Sequence, residues 1–178
     1  MEHWYIWQPK VTNALKTIND QLYHKLAADF SLIMGAEVFV SILKHEDSWK
    51  ICYQAPHSES DLFTFIFSLY DPAKKEYLYS GFEIEEPTID IHKLLVLPQG
   101  QGLATQIMYK FLEKMTEMQS FSRIVLRAES KDEAKFWQRF GFQFKARTSP
   151  YLPAMSLDLK PDIGKSKSLH VNIRYKSI

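Results

Sequence analysis

Between two apolar segments the chain reads Pro98-Gln99-Gly100-Gln101-Gly102-Leu103-Ala104-Thr105. Glycines at alternate positions suit one kind of chemistry, the holding of phosphate oxygens by backbone N–H groups. Glycine permits positive φ and lets a ligand approach the main chain without meeting a Cβ. The amides of a helix's first turn have no intrahelical acceptor, and the helix dipole adds positive potential there. A site for phosphate oxygens is therefore one expectation for this turn, and a glycine-containing strand-to-helix turn with no ligand is the other. Two other phosphate loops are excluded by residue type. No Gly-Lys-Ser or Gly-Lys-Thr follows the glycines, as a Walker loop requires. Thr105 stands where a dinucleotide-binding turn carries its third glycine or an alanine.

Groups able to move a proton stand just upstream: Glu83, Glu85, Glu86, Asp90 and His92. Imidazole titrates near neutrality, with an ordinary pKa of about 6.5, and suits the acceptance of a proton. On an extended strand, residues two apart share a face, so Asp90, His92 and Leu94 are expected to point together. The acids between 83 and 90 lean towards a cationic reactant. Tyr151, between Ser149-Pro150 and Pro153, is a weaker acid candidate on a loop. Cys52, the one cysteine, lies in the apolar run Trp49-Lys50-Ile51-Cys52-Tyr53 and reads as a buried structural thiol.

The elements that must hold these groups follow from periodicity. Val11, Leu15, Ile18, Leu22, Leu26, Phe30 and Ile33 recur at helical spacing. They predict one long or two short helices, with Thr12 or Asn13 as cap and Gly35 as stop. Strands are expected at Glu37–Leu43, Trp49–Gln54, Leu62–Tyr70, Glu76–Glu85 and Thr88–Leu97, forming an antiparallel meander with the last strand central. Leu103, Ile107, Phe111 and Met115 mark an amphipathic helix from Gly102 to Met115. Arg123–Arg127 is a β-branched strand, and Asp132 is the expected cap of a helix over Glu133–Arg139. Gln143–Arg147 and Met155–Leu159 complete the strands, with His170–Tyr175 as an extra edge strand or tail. The pattern is a mixed α/β (α+β) domain, a mostly antiparallel central sheet flanked by helices.

Two segments then acquire joint meaning. Gln99-Gly100-Gln101-Gly102-Leu103-Ala104 resembles the Gln/Arg-x-x-Gly-x-Gly/Ala element of the GNAT acetyltransferases. Ala134-Lys135-Phe136-Trp137-Gln138-Arg139-Phe140-Gly141-Phe142 resembles that family's second signature, an aromatic helix ending in Gly-Phe. The resemblance spans roughly Asp90 to Leu159. It implies acetyl-CoA as co-substrate, with Leu95, Val96 and Leu97 along the pantetheine arm and Gln99 to Thr105 (Gln99, Gly100, Gln101, Gly102, Leu103, Ala104, Thr105) under the diphosphate. Ser130 stands where relatives carry an asparagine. It also implies two parallel strands that splay apart, Ile89–Leu97 and Arg123–Arg127. The acceptor would be a primary amine of a small molecule or peptide, with His92 and Asp90 as the catalytic pair. Trp137 replaces a tyrosine that in relatives is thought to protonate the departing thiolate, and an indole cannot do so. A non-catalytic acyl-CoA sensor is the rival reading. A homodimer is carried by resemblance alone.

Composition narrows the partners. A chain of 178 residues with 46% hydrophobic content suits one domain over residues 1–178. Within it, residues 1–35 form a helical segment, 36–97 the strands, 98–159 the CoA-binding half, and 160–178 an added strand or tail. Balanced charge (22 Lys+Arg, 21 Asp+Glu) gives no field for nucleic acid or anionic lipid, and neither partner is expected. With a single cysteine, no disulfide and no cysteine-based metal site can form, and no metal is expected. The early charge reads as no secretory leader, no apolar run reaches membrane-span length, and a cytoplasmic location is expected.

Overall fold

The computed structural model describes Leu15 and residues 18–45, 48–56, 61–71, 82, 84–145 and 153–159. The first helix, α1, runs Asp20–Met34. Its start is set by Asn19, whose side chain accepts from the Gln21 amide at 2.9 Å. The described helix therefore begins after Asn19, and the caps expected at Thr12 or Asn13 lie outside the described residues. Gly35 ends it in the left-handed region at φ 64°, as its position predicts.

A meander follows, β1 (Phe39–Lys44), β2 (Ser48–Pro56), β3 (Asp61–Tyr70) and β4 (Thr88–Val96). Successive members pair antiparallel. The expected strand over Glu76–Glu85 falls mostly outside the described residues, and Phe82, Ile84 and Glu85 are not strand. Helix α2 (Leu103–Met118), strand β5 (Arg123–Arg127), helix α3 (Lys131–Gln138) and strands β6 (Gln143–Phe144) and β7 (Ala154–Asp158) complete the described elements. The sheet order is β1-β2-β3-β4-β5-β7-β6, so β4 is central among seven strands. Among the described strands only β4 and β5 run parallel, across the α2 crossover. His170–Tyr175 lies outside the described residues.

Side-chain alternation divides the sheet into two faces. Ile51 and Tyr53 of β2, and Phe63, Phe65, Phe67 and Leu69 of β3, join Phe30 of α1, Phe111 of α2 and Trp137 of α3 in one buried cluster. Phe111 meets Phe65 and Phe67 with ring centroids 5.0 Å apart in both cases. Truncating such a residue to alanine typically costs about 3–5 kcal/mol. The opposite face carries Thr64, Ser68, Asp90 and the smaller cluster of Phe82, Ile84, Val125 and Ala154. Cys52 points to this second face and is half-buried rather than enclosed.

Candidate active site

Strand β4 keeps its β5 partner only over Thr88–Ile91, opposite Arg123–Leu126, although it stays paired with β3 as far as Val96. The parallel pair therefore opens beyond Ile91. Leu97 donates its N–H to the Leu62 carbonyl at 2.8 Å, towards β3. Peptide groups alternate along a strand, so those of Val96 and Leu94 turn the other way, into the gap. In the expected trio, Val96 faces the opening, whereas the amides of Leu95 and Leu97 face β3. Leu94, which sequence reasoning passed over, supplies the second open peptide group. No residue pattern announces it, because peptide direction depends on register and not on side-chain type.

A β-bulge marks the point of divergence. Phe67 pairs with Ile91 and Ile66 with Lys93, which leaves His92 as the extra residue between them. The bulge shifts the side-chain phase. Asp90 lies opposite Ser68 on the second face, but Leu94 lies opposite Phe65 on the core face. The expectation that Asp90, His92 and Leu94 share a face thus fails at Leu94. It holds for the first two, because the His92 ring meets the Ser68 hydroxyl, with Nε2 and Oγ 2.9 Å apart.

Asp90 is 1% exposed, while His92 retains substantial exposure. Burial first, and then the Lys50 ammonium, lower the His92 pKa below its ordinary value. Lys50 reaches this neighbourhood as the cross-strand partner of Ser68. Glu85 and Glu86 precede the strand, and at about 3.3 Å per residue Thr88 is already some 13 Å from His92. Of the acids expected to draw a cation, Asp90 therefore lies beside the imidazole, whereas Glu85 and Glu86 stand further along the chain. Glu83 and Tyr151 lie outside the described residues.

The opening in the sheet leads into the glycine turn. Gly100 and Gly102 have φ of 82° and 73°, and a Cβ built on either would meet nothing within 4 Å. Both glycines are required by backbone conformation, and both face open space. Gly102 is the N-cap of α2 and offers no side-chain cap, and no acid stands in that helix's first turn. The first intrahelical bond there runs from the Gln106 amide to the Gly102 carbonyl at 3.1 Å. The amides of Leu103, Ala104 and Thr105 precede it and have no carbonyl one turn earlier within the helix. Gln99 and Gln101 are exposed at the same corner. Such a corner fits a diphosphate.

Ser130 stands at the start of α3. Its hydroxyl accepts from the Glu133 amide at 3.1 Å and caps α3. The cap expected at Asp132 is thereby corrected: Asp132 lies within the first turn. Trp137 is buried, and its Nε1 donates to Glu133 Oε1 at 3.1 Å. The indole that replaces the relatives' tyrosine is a core group held by a hydrogen bond. Among the described residues there is no group of three or more His, Cys, Asp or Glu able to hold a metal. Nor is any helix among them long and apolar enough to cross a membrane.

Splayed parallel strands that run out onto an uncapped helix start define the acyl-CoA N-acyltransferase fold, as the sequence resemblance implied. The profile of the acetyltransferase (GNAT) family matches residues 46–142, more than half of the chain, and the chain belongs to that family. Among solved structures, a protein of Pyrococcus horikoshii OT3 is similar at 18% identity and a TM-score of 0.42, over 60% of this chain and 64% of that one. The chain thus spans just under two thirds of that protein. A GNAT family acetyltransferase of Elizabethkingia anophelis with acetyl-CoA bound is 11% identical over 68% of this chain and 97% of its own, with a TM-score of 0.41. The ribosomal-protein-S18-alanine N-acetyltransferase of Escherichia coli is 12% identical over 66% and 73%, with a TM-score of 0.42. No curated protein matches the sequence.

Proposed function

We propose that the chain is an N-acetyltransferase that moves an acetyl group from acetyl-CoA to a primary amine. The observation that carries this reading is the uncapped start of α2 at the end of the opened edge of β4. Acetyl-CoA would supply a thioester whose C–S bond breaks as the acceptor's N–C bond forms, the electron pair leaving on sulfur. The first-turn amides of α2 and the backbone at Gly100 and Gly102 hold the diphosphate. The peptide groups of Leu94 and Val96 align the pantetheine arm, which fixes the reacting carbon beside His92. Alignment of this kind can supply much of the rate enhancement.

His92 takes the amine's proton, directly or through water. Its lowered pKa keeps the ring neutral, and so able to accept, further into acid than an ordinary histidine. Asp90 stands beneath it, opposite Ser68. Trp137 cannot return a proton to sulfur, and water is the donor.

The pH dependence has a definite sign. A neutral imidazole is required, so the rate falls as pH drops through the His92 pKa, and that limb lies below about 6.5. His92→Gln should abolish the limb and slow turnover. An unchanged limb with unchanged turnover would remove His92 from the mechanism. Titration calorimetry with coenzyme A tests the reading as a whole, and absence of heat would overturn it. The buried Trp137 favours a second reading, a sensor that binds acyl-CoA without turnover. Thiol release across a panel of amines separates the two.

A further inference from the structure

We propose that Ser68 is a positioning residue: it accepts a hydrogen bond from His92 Nε2–H and so makes Nδ1 the nitrogen that takes the acceptor's proton. This rests on the acetyl-transfer reading and names the working atom of its base.

The need for such a residue follows from the bulge. His92 is the extra residue of β4 between the Phe67–Ile91 and Ile66–Lys93 pairs, so no cross-strand neighbour stands opposite it. Its side chain is exposed, and ordinary strand pairing does not fix the ring. Ser68, which pairs with Asp90, reaches it diagonally, with Oγ 2.9 Å from Nε2. Ser68 is 5% exposed, so water competes little for that bond. The ring is thus tethered by a short, buried side chain on a strand paired along both edges.

The direction of the bond decides the chemistry. A neutral imidazole carries one N–H and one lone pair. Were the Ser68 hydroxyl to donate to Nε2, that lone pair would be occupied and the hydrogen would sit on Nδ1. Neither nitrogen could then accept. With Nε2–H donating to Oγ, the lone pair of Nδ1 is left for the substrate. The row in which Ser68 lies favours this second arrangement. Lys50 and Asp90 are its two cross-strand partners, with Cβ atoms about 4.5–5.5 Å away. An ammonium offers only donors, whereas a carboxyl group accepts. The hydroxyl hydrogen therefore turns from Lys50 towards Asp90, and the oxygen's lone pairs are left for the ring.

The same bond gains strength during the reaction. As the amine's N–H bond breaks, an N–H bond forms on Nδ1, and the electron pair stays on the attacking nitrogen. The ring becomes a cation. Its Nε2–H still points at Oγ, now as a charge-assisted donor. An interaction stronger in the transition state than before it raises turnover without tightening binding. The proton then leaves Nδ1 for water, which the exposure of His92 permits.

The experiment has two arms. The first records two-bond proton–nitrogen correlations of the imidazoles in isotope-labelled protein at a pH of about 8, where an ordinary histidine is neutral. His92→Gln identifies the His92 signal among the six histidines by its loss. The expected pattern is that of an Nε2–H ring, and Ser68→Ala should convert it to the averaged pattern of a ring exchanging between tautomers. The second arm measures thiol release from acetyl-CoA across a panel of amines. Ser68→Ala should lower kcat about tenfold while KM for acetyl-CoA changes by less than about twofold. Ser68→Thr, which keeps the hydroxyl on a residue suited to strands, should recover most of the loss. An Nδ1–H ring in the wild type, or an unchanged kcat in Ser68→Ala, would overturn the inference. So would a threonine variant as slow as the alanine variant at an unchanged melting temperature. Wild-type protein that releases no thiol with any amine would instead overturn the acetyl-transfer reading, and the role of Nδ1 would fall with it.

Discussion

Helices α2 and α3 begin in opposite ways. α3 is closed: Ser130 caps the Glu133 amide, Glu133 accepts from the Glu129 amide at 2.8 Å, and Asp132 and Glu133 place negative charge in the first turn. α2 is open: Gly102 has no side chain to offer, no acid enters the first turn, and both turn glycines face empty space. The closed end satisfies its own donors, and Glu133 ties it to the core by holding the Trp137 indole. The open end leaves its donors for something else. One helix start thus carries a hydroxyl cap and two acids while a longer helix starts bare, which is what the proposed diphosphate site requires.

The sharpest way to break this contrast is Gly102→Val. A β-branched residue at φ 73° is strained by about 1–3 kcal/mol, and its side chain would enter the space the phosphates need. Affinity for coenzyme A should fall on the order of 100-fold, or about 2.7 kcal/mol, by calorimetry. Gly35→Val is the control. Gly35 has φ 64° with nothing near its Cβ position, so it carries the same strain at the end of α1. It should lower the melting temperature similarly and leave the affinity unchanged. Equal loss of binding in both variants would mean that α2 is merely a fragile helix.

Glu133→Ala attacks the closed end. Both carboxylate contacts vanish, and the buried Trp137 N–H loses its acceptor. An orphaned buried donor costs about 1–3 kcal/mol, read as a drop in denaturant midpoint. Coenzyme A affinity should change little. Ser130→Ala is milder, at about 1 kcal/mol, the usual loss for a missing cap. It also decides between two roles for the residue. Affinity within twofold of wild type leaves Ser130 as a cap, whereas a larger fall makes it part of the cofactor site, as the family resemblance implies.

Much of this contrast was legible in the residues. The alternate glycines before Leu103, Ile107, Phe111 and Met115 marked both the turn and the helix, because positive φ and helical period each leave a direct trace in residue type. Three features left none. The bulge at His92 arises from unequal pairing of β3 and β4, so counting by twos misplaced Leu94. The direction of the Leu97 amide depends on its bond to Leu62. Capping of α3 at Ser130 rather than Asp132 turns on one dihedral, the extended φ of −149° that ends the incoming chain. Serine and aspartate are near-equal cap formers, and sequence alone does not choose between them.

The smallest expected effect tests the contrast most finely, because it gives stability and binding opposite signs. Gln106, the fourth residue of α2, is exposed one position further in than the second of the acids at the start of α3. Gln106→Glu changes charge with almost no change of shape. A negative charge beside the helix dipole should stabilise the protein by about 0.3 kcal/mol, visible as a slight rise in melting temperature at low salt. The same charge repels a diphosphate held by the first-turn amides, and affinity for coenzyme A should fall about twofold, or about 0.4 kcal/mol. Both changes should shrink together as salt is raised, since both are electrostatic. A helix end kept open only by accident of sequence would show the first change without the second.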